Sequence, residues 1–199
     1  MRTITNSLVV TGMALAAAGQ AQFLQTYTPP LGSHVSTVVS CANPIPLPLA
    51  AADDFRFKDN YSVRHFRWWG TVSNVAQLNR DYYIAIYEGG GCRPGKILFQ
   101  ACVNAQTIPV AVDCTGKVVY RFTTSLAAPI NVPAGHYWFR VAESDASSVQ
   151  LGSVDFQWSA VRPVRGCEAG QHDLAAGWLS PLLDPCDGLK EDLAFCLLG

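Results

Sequence analysis

Short runs in which large apolar residues alternate with others, cut apart by Gly, Pro, Asn and Asp, constrain this chain more than any other feature. Successive side chains of an extended strand point to opposite faces, so a period of two marks a strand with one face packed and the other turned elsewhere. Phe66, Trp68, Gly70 and Val72 fall on one side of their run, and His65, Arg67, Trp69 and Thr71 on the other. Tyr82, Ile84 and Ile86 separate likewise from Tyr83, Ala85 and Tyr87, and Tyr137, Phe139 and Val141 from His136, Trp138 and Arg140. No stretch of useful length carries the apolar period of a helix. Strands are expected at 35–40, 54–57, 63–72, 82–87, 97–102, 110–113, 118–123, 136–142, 154–158 and 193–198. Turns fall at Gly89-Gly90-Gly91, Pro94-Gly95, Asp113-Cys114-Thr115-Gly116 and Pro133-Ala134-Gly135, whose residues tolerate turn geometry. The run Asn43-Pro44-Ile45-Pro46-Leu47-Pro48 lacks the amide donors of a central strand and reads as an extended connector. The fold class this pattern predicts is all-β: an antiparallel two-sheet sandwich in a single domain.

The beginning of the chain reads as a secretory signal. Met1-Arg2 is followed by an apolar stretch from Leu8 to Ala18, too short to span a bilayer, and by Gly19-Gln20-Ala21. The expected organisation is a signal peptide at 1–21, an N-terminal extended segment and first strand at 22–51, and the β-sandwich domain at 52–199. Losing Arg2 from 14 basic residues leaves 13 against 15 acidic ones, a formal charge of −2. Nucleic acid and anionic membranes both need a basic footprint, so neither is an expected partner, and the mature chain has no transmembrane run. Seven cysteines in an exported chain point to disulfides and to a secreted, extracellular or periplasmic location. Cys167 with Cys186 is the first expected pair, because it brackets an irregular stretch, and Cys102 with Cys114 is the second. No two cysteines have the close spacing of a zinc knuckle, and the four histidines stand far apart in sequence.

Catalytic patterns are sparse. Ser153 lacks the second glycine of a nucleophile elbow, and the adjacent His172-Asp173 would point apart in an extended segment. Gly89-Gly90-Gly91 lacks the Lys-Ser or Lys-Thr ending of a phosphate loop. Acidic residues at Asp53, Asp54, Glu88, Glu143, Asp155, Asp184, Asp187, Glu191 and Asp192 could include the facing pair of a glycosidase, but most sit beside turns or strand ends. No catalytic residue, organic cofactor or enzyme activity is expected from this sequence. For a metal, calcium is the candidate, at Asp53, Asp54 and Asp192, since hard cations take clustered carboxylate oxygens.

The more informative feature is aromatic. Trp69, Trp138, Tyr83 and Tyr87 all fall on the sides away from the expected inter-sheet core, with Arg67, Arg140 and His65 among them. Flat rings beside hydrogen-bonding side chains suit a sugar, whose C–H faces stack while its hydroxyls pair. The competing expectation is a second small core beneath the loops at 144–152 and 166–192, and large exposed aromatic patches are uncommon on a monomer.

Taken in order, Ala52-Asp53-Asp54-Phe55, Trp68-Trp69-Gly70, Tyr82-x-Ile84-x-Ile86-Tyr87, Gly91-x-x-Pro94-Gly95, Ala134-Gly135-x-Tyr137-Trp138-Phe139 and Asp192-Leu193-Ala194-Phe195 resemble a group of exported bacterial β-sandwich proteins of uncharacterised function. Some of that group carry a carboxy-terminal envelope-sorting anchor, whereas this sequence closes on Leu197-Leu198-Gly199 and is richer in cysteine. The resemblance implies a jelly-roll-like sandwich and residence outside the cell, and it implies no activity. The expected function is an exported non-catalytic module binding glycan or another envelope polymer. An extracellular structural or matrix protein is the second reading, and a cryptic glycoside hydrolase the third.

Overall fold

The computed structural model describes residues 22–25, 33–35, 50–73, 75, 78, 81–144, 156–161, 167, 169–173, 177–179, 189, 190 and 192–199. The strands are β1 (Gln22–Gln25), β2 (Ser33–Val35), β3 (Ala50–Phe57), β4 (Tyr61–Val72), β5 (Asp81–Gly89), β6 (Pro94–Asn104), β7 (Gln106–Val112), β8 (Val118–Val132), β9 (Gly135–Glu143), β10 (Phe156–Val161), β11 (Gly170–Asp173), β12 (Gly177–Leu179), β13 (Asp192–Leu193) and β14 (Phe195–Leu198). They form two antiparallel sheets, an eight-stranded one built around β4 and a six-stranded one in the order β12-β11-β3-β9-β5-β6. The molecule is an all-β two-sheet sandwich, as the alternation predicts. Among the described residues, no helix is long and apolar enough to cross a membrane.

The inward sides are those the alternation assigns. Phe66 and Trp68 of β4 meet Tyr82, Ile84 and Ile86 of β5 and Tyr137, Phe139 and Val141 of β9 in one continuous core. Rings make much of the contact between sheets: Phe66 to Phe139 at 5.7 Å, Trp68 to Tyr82 at 5.4 Å, and Phe139 to Phe195 at 5.0 Å between centroids. Each such pair adds about 0.5–1.5 kcal/mol beyond the apolar area it buries. Gly70 belongs to this side because a Cβ there would lie 2.3 Å from the Phe156 ring. Two buried carboxylates also tie the sheets together. Asp53 of β3 accepts the Leu193 amide at 2.6 Å, and Glu143 of β9 accepts the Phe156 amide at 3.2 Å.

Several strands exceed their expected bounds. β3 begins at Ala50 and β8 runs on to Val132, because pairing with β11 and β4 supplies ladder partners that local composition does not announce. The expected strand at 193–198 is broken at Ala194, whose amide donates to Ser159 and whose carbonyl accepts from the Trp69 amide. There the last segment passes between β4 and β10. Residues 36–40, 154 and 155 of the expected strands lie outside the described residues.

Candidate functional site

On the outer face of the six-stranded sheet, the ladder register sets side chains in rows. Arg140 of β9 stands opposite Ala52 of β3 on one side and Ala85 of β5 on the other, and Ala85 stands opposite Gln100 of β6. The next row holds Asp54, Trp138 and Tyr87, and the row on the far side holds Ala142, Tyr83 and Cys102. A long cation thus sits between two methyl groups, flanked above and below by rings. The strand-by-strand alternation that made Phe139 and Val141 core residues turns Arg140 outward, yet the guanidinium is not in solvent: Arg140 is only 5% exposed.

Its bonding is incomplete. Nη1 donates to the Tyr87 hydroxyl at 3.4 Å, and the guanidinium lies 5.6 Å from the centroid of the Tyr83 ring. Among the described residues, Nε and Nη2 are buried without a hydrogen-bond partner. These two N–H groups share one edge of the guanidinium, the edge that grips both oxygens of a carboxylate. Burying a charge without a counter-charge costs several kcal/mol, of which a desolvated cation–π contact returns about 2 or somewhat more. Burial, then the neighbouring Tyr87, push the Tyr83 hydroxyl up to about 12 despite the pull of Arg140, so it stays protonated and donates to Gln100 at 2.8 Å.

Four of the six residues expected to form a binding face, Trp138, Tyr83, Tyr87 and Arg140, are thus together on one sheet. Trp69 and Arg67 are on the other sheet. Trp69 packs with Val119, Val161, Ala194 and Cys196, while Arg67 is half-buried. The expected open row of stacking rings is corrected: all four rings are buried, and the tyrosines and Trp138 form a second small core with Ala52, Ala85 and Ala142. A covered ring offers no free face to a sugar. The signal that sequence reasoning missed was the pair of alanines beside Arg140, which becomes visible only with the register.

The carboxylates also rearrange. Neighbouring strand residues point apart, so Asp53 enters the core while Asp54 faces outward, and the expected calcium set of Asp53, Asp54 and Asp192 does not converge on one face. Both Asp53 oxygens accept backbone amides, from Asp54 and Leu193. Burial, then the charge of Asp192, still hold Asp53 well above its ordinary value of 3.8. Asp54 instead meets His136, whose Nε2 lies 2.5 Å from Oδ2. Burial raises the Asp54 carboxyl, while the Cys167 amide and His136 pull it down.

The expected bond between Cys167 and Cys186 is also corrected, because Cys167 is joined to Cys92 across 75 residues. Loop closure of that length stabilises by about 4 kcal/mol on chain entropy. It fastens the β5–β6 turn, where Gly91 has a φ of +74°, to the segment before β11. Spacing alone could not show it, since the partners meet only when the sheet is assembled. Cys102 and Cys114 are each disulfide-bonded. Cys41 and Cys186 lie outside the described residues, as do Ser153, Asp155, Asp184, Asp187 and Glu191. No protein-family model matches the chain, and neither does any curated protein.

Proposed function

We propose that this protein is an exported, non-catalytic binding module that holds the carboxylate of an acidic surface saccharide at Arg140. The observation that carries this reading is the buried guanidinium with its Nε and Nη2 edge unpartnered among the described residues. Ala85 is the one residue between Arg140 and the exposed Gln100 in their row, and Trp138, Tyr87 and Tyr83 flank the fork. The resemblance to exported sandwich proteins supports the location. The test is thermal stabilisation by galacturonate and acetate, with uncharged galactose as control. The wild type is expected to be stabilised by the acids, galacturonate more than acetate, and Arg140→Met to bind about tenfold more weakly or worse, as loss of a charge-assisted pair implies. Without ligand, Arg140→Met is expected to be no less stable than wild type, because an apolar side chain replaces a buried cation that keeps two nitrogens unpartnered among the described residues. Equal shifts in both proteins, or none in the wild type, overturn the reading.

An extracellular structural or matrix role is the second reading, and a different observation favours it. β6 and β7 pair only with β5 and β8 among the described residues, and they expose Ile97, Leu98, Ile108, Val110 and Val112. Residues 97–112 contain no Asp, Glu, Lys, Arg or His. Soluble proteins usually guard such edges with charge, although Pro109 and the register shift beside it blunt this one in part. A two-fold contact sets each residue near its symmetry mate, so an uncharged edge meets a second copy without like-charge repulsion.

A further inference from the structure

The corner where β3 and β9 meet the Cys92–Cys167 disulfide holds three donors of different chemistry. An oxygen of Asp54, a ring nitrogen of His136 and the sulfur of Cys167 all lie within 4.8 Å of one another. Nδ1 of His136 faces Gly89, whose added Cβ would come within 2.7 Å of it, so Nε2 is the nitrogen on the Asp54 side. In the oxidised protein the sulfur is committed to Cys92 and is a poor donor, leaving one nitrogen and one carboxylate.

We propose that opening this disulfide converts the corner into a binding site for a zinc-type divalent cation, with Cys167 Sγ, His136 Nε2 and an Asp54 oxygen as ligands. A dithiol reductant supplies two electrons and two protons and leaves as its own disulfide, while Cys92 and Cys167 become thiols. The cation then takes Cys167 as thiolate, its proton passing to solvent, His136 as neutral imidazole and Asp54 as carboxylate. The charges of cation, thiolate and carboxylate sum to zero, which suits a partly buried corner. Ligand-to-ligand separations around tetrahedral zinc are about 3.4–3.6 Å, so the three donors need to shift by about 1 Å. A mixed nitrogen, oxygen and sulfur set favours zinc over calcium or magnesium, which take oxygen. Metal binding would keep the Cys167 segment fastened to the sheet after its covalent tether is lost.

Cobalt is the probe, because a cobalt–thiolate bond gives a near-ultraviolet charge-transfer band that nitrogen and oxygen ligands do not. Oxidised wild type is expected to show no band. Cys92→Ser, which leaves Cys167 as a thiol without reductant, is expected to bind a single cobalt ion with the band, to release it to zinc, and to lose it when His136→Ala or Asp54→Asn is added. A band that survives Cys92→Ser combined with Cys167→Ser overturns the proposal. Absence of a band in Cys92→Ser that retains its β-sheet circular dichroism also overturns it. Should Cys92→Ser fail to fold, dithiothreitol-treated wild type gives the same decision, with thiol mapping to confirm that Cys92–Cys167 has opened and circular dichroism to confirm the fold.

Discussion

The two sheets bury outward-facing aromatic residues in different company. Beneath Trp69, the outer face of the eight-stranded sheet is filled by Val119, Val161, Ala194 and Cys196, and Ala111 carries that packing towards the uncharged edge at β7. The outer face of the six-stranded sheet has similar rings in Trp138, Tyr83 and Tyr87, but closes around a cation between alanines. An apolar filling is satisfied by contact alone. A guanidinium is not: among the described residues Arg67 and Arg121, beside Trp69, each leave one buried nitrogen without a hydrogen-bond partner, while the more deeply buried Arg140 leaves two, the whole edge that would grip a carboxylate.

The largest effect should come from the rings. Trp69→Ala and Trp138→Ala are each expected to cost about 3–5 kcal/mol in chemical denaturation, close to the cost of Trp68→Ala in the shared core. A Trp138→Ala protein that melts like wild type would show that face to be loosely covered and would sharpen the contrast with Trp69.

A smaller effect concerns the buried acid on the core side of the same six-stranded sheet. Asp53 is held above 3.8, so the folded chain binds more protons than the unfolded one over a window that opens near that value. Its contribution to stability therefore falls as pH rises through the window and is not recovered above it. Urea unfolding of wild type, followed upward from about pH 4, should show this decline, and Asp53→Asn should flatten it. An unchanged slope in the variant would assign the pH dependence to other groups.

The smallest change in stability belongs to the edge of the eight-stranded sheet. Val110→Lys should alter folding by no more than about 0.5 kcal/mol, since the side chain is exposed, yet it should abolish concentration-dependent association in sedimentation velocity. A wild type that stays monomeric at every concentration removes the structural reading and leaves the Arg140 site as the better account.

Period-two alternation by itself determined the sandwich and most of its core, because a strand's faces are set by local backbone geometry. Phe66, Trp68, Ile84, Ile86, Phe139 and Val141 are inward for that reason. It also separated Trp69, Trp138 and Arg140 from the core. It was silent on depth. Whether an outward ring meets water or another layer depends on segments distant in sequence, and the same is true of the Cys92–Cys167 bond and of the Asp54–His136 pair. Tertiary structure alone decided that Arg140 lies between Ala52 and Ala85, because register is a property of paired strands and each partner is blind to it until the ladder forms.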